Sequence, residues 1–380
     1  MRRLFLTVLA FILVFAPAIA PAVSAQSTSA QILSTQTRTA GFSIDYGQGY
    51  KVLSVPTPWP GATRGYRYVL YPRGSSRPAG VKGDRFIQTP VRTVVTFSTS
   101  YLPAIEAIGG IDSIVGVDSA AFVYSPAVRE RIGSGKTVET TKNWEPDIER
   151  MIALKPDLVL SYGMGNEWDT HPKMEAAGLP VVIMAEWNEA DPLARAEWAV
   201  FIAAFYDKEA EARASFDRLA ADYGKIKALA ATARDRPSVL VNGPFQGVWS
   251  VSGGGSFMAR LLADAGASYL WASDTSTGGL NLSVEAVFSK AANAKYWLNP
   301  SLQAARISDV VAMDPRFAAL AAVKSGQIWN NNARLSPGGG SDYFESAVMR
   351  PDLVLADMAA IFHPELFPGH RFVYYRKVTE

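Results

Sequence analysis

The stretch Glu145–Gly163, EPDIERMIALKPDLVLSYG, contains a helix, its stop and the strand that follows. Pro146 suits the first turn of a helix, where its missing N–H costs nothing. Ile148, Met151 and Ile152 recur at i, i+3 and i+4, so one face is apolar. Pro156 ends the helix, and Leu158–Leu160 is the strand. Upstream, Val91–Phe97 is a β-branched run of the kind a parallel sheet buries on both faces. A helix then runs to Gly109-Gly110, with a short strand at Ile114–Val117. Downstream come a helix at Lys173–Ala177 and a strand at Val181–Met184. Strand and helix alternate throughout, which predicts a parallel α/β unit.

The strands then stop for about 45 residues. Asp191-Pro192 reads as a cap and first-turn proline, followed by Leu193, Trp198, Phe201, Ile202 and Phe205 at helical spacing. A second helix starts near Asp207 and continues towards Leu229. After Arg236-Pro237 the alternation resumes and repeats the first half. Val239–Asn242 answers Val91–Phe97, Tyr269–Trp271 answers Ile114–Val117, Tyr296–Leu298 answers Leu158–Leu160, and Gln327–Trp329 answers Val181–Met184. Ser283 caps a helix whose Val284, Val287 and Phe288 correspond to Ile148, Met151 and Ile152. The expected fold is α/β: two Rossmann-like lobes joined by a long rigid helix, with a β-rich N-terminal extension.

That extension shows short β-like runs at Phe42–Tyr46, Tyr50–Val55 and Tyr66–Tyr71, read as antiparallel. Phe372–Tyr375 reads as a strand that joins it. The start of the chain carries Arg2-Arg3, an apolar run Leu4–Ala16 and the small-residue pattern Val23-Ser24-Ala25, a secretory leader cleaved near Ala25. Predicted boundaries are 1–25 for the leader, 26–87 for the extension, 88–190 and 233–366 for the lobes, 191–232 for the connector and 367–380 for the C-terminal strand.

Composition narrows the chemistry. The 380 residues hold 37 Lys+Arg against 35 Asp+Glu. Two of the basic residues lie in the expected leader, so the rest is balanced, and nucleic-acid binding through bulk charge is excluded. With no cysteine there is no disulfide, thiol nucleophile, thiolate metal site or lipid attachment point, so a free periplasmic protein is expected. His171, His363 and His370 show no metal-ligand spacing, and neither a G-x-S-x-G elbow nor a phosphate-binding glycine fingerprint is present. Gly253–Gly255 and Gly338–Gly340 read as turns.

The segments TFSTSYLPAIEAIGGIDSIVGVDS (96–119), EPDIERMIALKPDLVLSYG (145–163) and LNLSVEAVFSKAANAKYWLNP (280–300), with the helical connector, carry a resemblance over roughly residues 88–366. In order and spacing the chain resembles the periplasmic substrate-binding proteins of ABC importers for iron–siderophore, haem and cobalamin-type ligands. The resemblance implies a ligand held between two lobes and delivered to a membrane-embedded permease. It also matches Glu149 and Glu285 to the glutamates, one per lobe, that engage the permease. Each follows the first core-facing residue of its helix; complementing the helix dipole is the plainer role for both.

Ligands of open α/β sheets sit beyond the carboxyl ends of the strands. That rule selects Ser100, Tyr101, Tyr124, Tyr162, Trp187, Phe245, Trp249, Trp271, Asn331 and Arg334 as candidate ligand contacts. Aromatic rings there supply contact area, and Asn and Ser fix orientation; the other reading of each ring is core or lobe rim. Arg334 either meets an anionic ligand group or anchors the loop Asn330–Asn332. The segment SDYFE (341–345) either places Asp342 and Tyr343 near Arg334 or is a solvated surface stretch. The expected activity is capture of a chelated metal, most simply a ferric siderophore or other iron complex, with haem or cobalamin in the same class. The chain is expected to act as a monomer, without catalysis, resident cofactor or metal ligands of its own. The alternative is a secreted α/β enzyme acting on a small molecule.

Overall fold

The computed structural model describes residues 33–34 and 37–380. The expected leader and most of the polar stretch after it lie outside the described residues. The first sheet comprises β1 (Leu33–Ser34), β2 (Ser43–Gly47), β3 (Tyr50–Val55), β4 (Tyr66–Pro72) and β5 (Arg85–Thr89), in that order. β1 to β4 are antiparallel, but β5 pairs with β4 in parallel. This corrects the purely antiparallel expectation. The loop 73–84 is long enough to carry the chain back across the sheet, as a parallel pairing requires.

The N-terminal lobe follows with β6 (Val94–Thr96), β7 (Ile114–Val117), β8 (Val138–Glu139), the hairpin β9 (Thr141–Lys142) and β10 (Glu145–Pro146), β11 (Leu158–Tyr162) and β12 (Val181–Met184). Its helices are α1 (Leu102–Ala107), α2 (Pro126–Gly133), α3 (Ile148–Leu154) and α4 (His171–Ala176). The sheet is all-parallel in the order β12-β11-β6-β7-β8. Val94, Val95 and Leu158 to Leu160 are buried, as strands covered on both faces must be.

Two helices connect the lobes: α5 (Pro192–Ala204), capped by the Asp191 carboxylate on the Leu193 and Ala194 N–H groups, and α6 (Glu209–Ala230). Asp207, at φ 58°, breaks the helical run between them. With 22 residues, α6 spans about 33 Å at 1.5 Å per residue.

The C-terminal lobe has β13 (Ser238–Val241), β14 (Pro244–Phe245), β15 (Val248–Ser252), β16 (Ser268–Tyr269), β17 (Gly279–Ser283), β18 (Tyr296–Leu298), β19 (Ile328–Asn330) and β20 (Arg376–Lys377). Its longer helices are α7 (Phe257–Asp264), α8 (Val284–Ala291), α9 (Ile307–Met313) and, after the four-residue α10 (Ala321–Lys324), α11 (Pro351–Phe362). The order β19-β18-β13-β16 repeats β12-β11-β6-β7 of the first lobe. β14, β15 and β17 form a separate antiparallel sheet.

The chain's last strand is Arg376–Lys377, and it pairs antiparallel with β19. The expectation of a strand at Phe372–Tyr375 joining the N-terminal extension is therefore corrected. The backbone N–H groups of Val373, Tyr374 and Tyr375 donate to the buried carboxylate of Asp357 in α11, so a sheet neighbour has no donors left to take there.

The extension packs instead on the first connector helix and the edge of the N-terminal sheet. Phe42 lies 5.0 Å from Trp198 and 5.4 Å from Phe201, ring to ring. The Ile183 N–H of β12 donates to the buried Tyr68 hydroxyl at 2.8 Å. Trp59 covers the loop after β11. A Cβ on Gly163 or Gly165 would lie 2.6 and 2.4 Å from its indole, so this approach requires glycine.

Candidate functional site

The carboxyl ends of both parallel sheets face a cleft floored by the start of α5. One cavity of about 640 Å3 is lined by Ser100, Tyr101, Asp118, Tyr162 and Glu186 of the first lobe, by Arg195 of α5, and by Leu302, Ser341 and Phe344 of the second. An adjoining cavity of about 510 Å3 shares Trp187, Arg195, Leu302 and Phe344 and reaches Asn242, Asn299 and Asn331. Five of the residues picked out in the sequence therefore meet here: Ser100, Tyr101, Tyr162, Trp187 and Asn331. Tyr162 is partly exposed, so a ring face is open to whatever enters.

Two charged residues dominate the floor: Glu186, in the strand-end loop with Trp187, and Arg195, which the sequence reading did not single out. Arg195 sits in the first turns of α5, where burial lowers the pKa of its guanidinium against the opposing pull of Glu186. Its Nε has no hydrogen-bond partner among the described residues, and the Phe257 ring lies 4.7 Å from its central carbon. Glu186 is buried; desolvation raises its carboxyl, and the charge of Arg195 only partly offsets this. Ser100 Oγ donates to one Glu186 oxygen at 3.2 Å, while the other oxygen has no partner. The indole N–H of Trp187 is likewise buried and unpaired, and so is one oxygen of Asp118, whose carboxyl is pushed up to about 6 by burial. A buried polar atom left without a partner costs about 1–3 kcal/mol; these four belong to residues that line the cavity but have almost no accessible surface themselves, so they lie just behind its wall. The available signal was a charge on a helix otherwise apolar. Of the charged side chains of α5, Glu197 is paired with Arg213, and Arg195 has no ion-pair partner among the described residues.

Other candidates fall elsewhere. Trp249 lies in the core, 5.4 Å from both Trp297 and Phe317, with its N–H donated to the Val241 carbonyl. β15 alternates between solvent and core, and Trp249 takes an inward position. Trp271 is also buried behind the cleft, with Tyr269 at 5.8 Å and the Lys290 ammonium 5.1 Å from its ring. Phe245 is 75% exposed at a hairpin end, away from both cavities. All three are corrected as ligand contacts.

Tyr124 and Arg334 meet each other across the lobes instead of lining the cavities. Arg334 Nε donates to the Tyr124 hydroxyl at 3.1 Å, its guanidinium lies over the same ring, and its charge is matched by Asp342 at 3.1 Å. The anion expected for Arg334 is therefore a side chain already in place. Beside this contact the buried Glu345 carboxylate accepts the backbone N–H groups of Tyr124 and Ser125, both at 2.8 Å. Burial nevertheless pushes the Glu345 carboxyl up to about 7. Gly340 completes the bridge: a Cβ there would lie 2.4 Å from the Phe122 carbonyl.

Glu149 and Glu285 are exposed in the first turns of α3 and α8, the equivalent helices that lead into β11 and β18. Glu285 pairs with Arg316 at 3.0 Å, which lowers its pKa. None of the three histidines lines either cavity. His171 packs under Trp59, His363 contacts the Gly266 carbonyl, and His370 contacts Asp357.

The sequence profile of the periplasmic binding protein family matches residues 94–334. The chain belongs to this family. An uncharacterized lipoprotein of Methanocaldococcus jannaschii is 25% identical over 82% of this chain and 76% of its own. Among solved structures, a periplasmic heme binding protein from Pseudomonas aeruginosa superposes with a TM-score of 0.54 at 22% identity, covering 72% of this chain and 93% of that one. The periplasmic vitamin B12 binding protein of Vibrio cholerae gives a TM-score of 0.54 at 14% identity, covering 73% and 99%. These likenesses bear on the fold of the binding protein. Its family consists of solute-binding proteins.

Proposed function

We propose that this protein is the solute-binding component of an ABC importer, capturing a chelated metal between its lobes and handing it to the permease. The class meant is a ferric siderophore or other iron complex, with haem or a corrinoid as further members. The observation that carries this reading is the interlobe cavity itself, which brings Arg195, Glu186 and Asp118 together with the rings of Tyr162 and Trp187 beyond the carboxyl ends of the strands. The charged side chains set both signs beside the ring of Tyr162. A metal arriving with its own chelator needs no ligating cluster from the chain. Glu149 and Glu285 are the docking acids in this reading.

The protein is proposed to work free in the periplasm after removal of a leader ending near Ala25. Its relative is a lipoprotein, but these 380 residues contain no cysteine to carry a lipid.

The test is a fluorescence titration of the purified protein with ferric siderophores, hemin and cyanocobalamin, alongside mass spectrometry of whatever co-purifies. Saturable tryptophan quenching by one class is expected. Flat curves across the whole panel refute the reading.

A further inference from the structure

Each lobe carries an exposed aromatic residue at a tight hairpin beside the helix that bears its outward-facing glutamate. In the first lobe, β9 and β10 are joined by Asn143 and Trp144, at φ 52° and 66°. Trp144 is 83% exposed. In the second lobe, β14 and β15 are joined by Gln246 and Gly247, at φ 50° and 81°, directly after the 75%-exposed Phe245. Both are two-residue turns with positive φ at both positions, the geometry that matches strand twist.

Gly247 takes this backbone without strain. Trp144 does not, because in the left-handed region its Cβ crowds the following carbonyl oxygen. Its indole recovers nothing from the described residues: it has no ring or cation contact and stands in water. A large apolar group held in a strained backbone at full exposure points to a contact outside the chain.

The surroundings say where that contact lies. β10 passes through the capping residue Asp147 directly into α3 and Glu149. Phe245, Val248 and Ser283 form one row across three strands, about 10 Å from end to end, and Ser283 caps α8 just ahead of Glu285. In both lobes the helix then runs into the same strand of the repeated sheet order, β11 and β18. Its first turn, and the hairpin with it, therefore lie at the end where the cleft opens. Neither aromatic lines the cleft cavities.

We propose that Trp144 and Phe245 are apolar anchors of the docking surface, seated in the extracytoplasmic face of the importer's permease on either side of the glutamate contacts. This rests on the binding-protein reading above. Two patches, one per lobe, each setting a glutamate near an aromatic ring, fit a partner with two like sites that offer a basic group beside an apolar pocket. Glu149 has no ion-pair partner among the described residues, and Glu285 would exchange Arg316 for the partner's basic group. Buried aromatic anchors of this kind carry a large share of interface energy, whereas rim charges chiefly set orientation and encounter rate.

The test places photo-crosslinking benzoylphenylalanine at 144 and at 245 of the full chain in its native host. Both positions are expected to label the same multi-spanning membrane protein, and Glu149→Arg with Glu285→Arg is expected to cut the yield about tenfold. In parallel, a folded Trp144→Ser, Phe245→Ser double variant is expected to titrate with ferric siderophores, hemin and cyanocobalamin as the unaltered protein does. Labelling from only one position or neither overturns the proposal. So does sedimentation of the unaltered protein, but not the double variant, with phosphatidylglycerol–phosphatidylethanolamine vesicles that lack any importer, since the tips would then be lipid contacts. Loss of titration in the double variant overturns it in favour of a ligand role. An unaltered protein that binds nothing in the panel refutes the underlying reading instead, and this proposal falls with it.

Discussion

Replacing Arg195 by Met should make the protein more stable and a worse receptor at once. The guanidinium is held in the cleft floor with its Nε unpaired, and its burial already lowers its pKa. A side chain of similar length without charge removes that desolvation cost while keeping the contact with Phe257. Replacing a whole buried ion pair by apolar side chains is commonly neutral or stabilising by about 1–4 kcal/mol; here only the cation goes while the Glu186 carboxyl stays, so the gain is smaller. Glu186 limits the gain, because Arg195 is the cation holding its carboxyl down. Without it the carboxyl's pKa rises further. Binding moves the other way. A hydrogen bond to a charged group is worth about 1.5–3 kcal/mol, so affinity should fall about 10- to 150-fold. Calorimetric unfolding and titration calorimetry with the panel member that binds would read both quantities from one preparation. Arg195→Lys, which keeps the charge but not the planar fork, should fall between. Unchanged affinity together with a lower unfolding temperature would sink the argument, because Arg195 would then be a packing residue.

Glu345 predicts a pH effect. Its carboxyl sits at about 7 in the folded chain against 4.5 for the free group, so the folded form holds the proton more tightly and stability falls as pH rises between those values. Unfolding midpoints measured across that window should decline for the unaltered protein and lose that component in Glu345→Gln; equal slopes would count against the interlobe bridge. Trp249→Ala should cost about 3–5 kcal/mol as a core truncation while leaving the ligand affinity of the folded fraction unchanged, and a selective loss of affinity would return Trp249 to the cleft. Replacing both Glu149 and Glu285 by Ala should preserve ligand binding and abolish transport into vesicles bearing the permease; surviving transport would remove them as docking groups.

The repeated sheet was legible because buried parallel strands advertise themselves. Val94–Val95, Leu158–Leu160 and Val239–Val241 are continuous apolar runs, and the helices between them keep a 3.6 spacing. The same logic located the cleft loops, since every parallel strand presents its carboxyl end to the same side. It failed where a local rule competed. Val248–Ser252, VWSVS, alternates as a half-buried strand does, and that alternation, not its place after β13, decides that Trp249 points inward. Spacing does not bring Tyr124, 210 residues away, to Arg334, so the sequence leaves Arg334 open to an outside anion even with Asp342 expected nearby. Arg195 was missed for a converse reason: helix periodicity asks which positions are apolar and passes over a charge placed among them. Yet a charge on a buried helix is either paired, as Glu197 is with Arg213, or awaiting a partner. In a receptor the second state is expected, because polar atoms satisfied within the empty cleft would have to exchange partners to hold a ligand. Unpaired buried atoms of Arg195, Glu186 and Trp187 lower the stability of the folded chain, and on the reading proposed here Arg195 is the charge whose pairing a ligand completes.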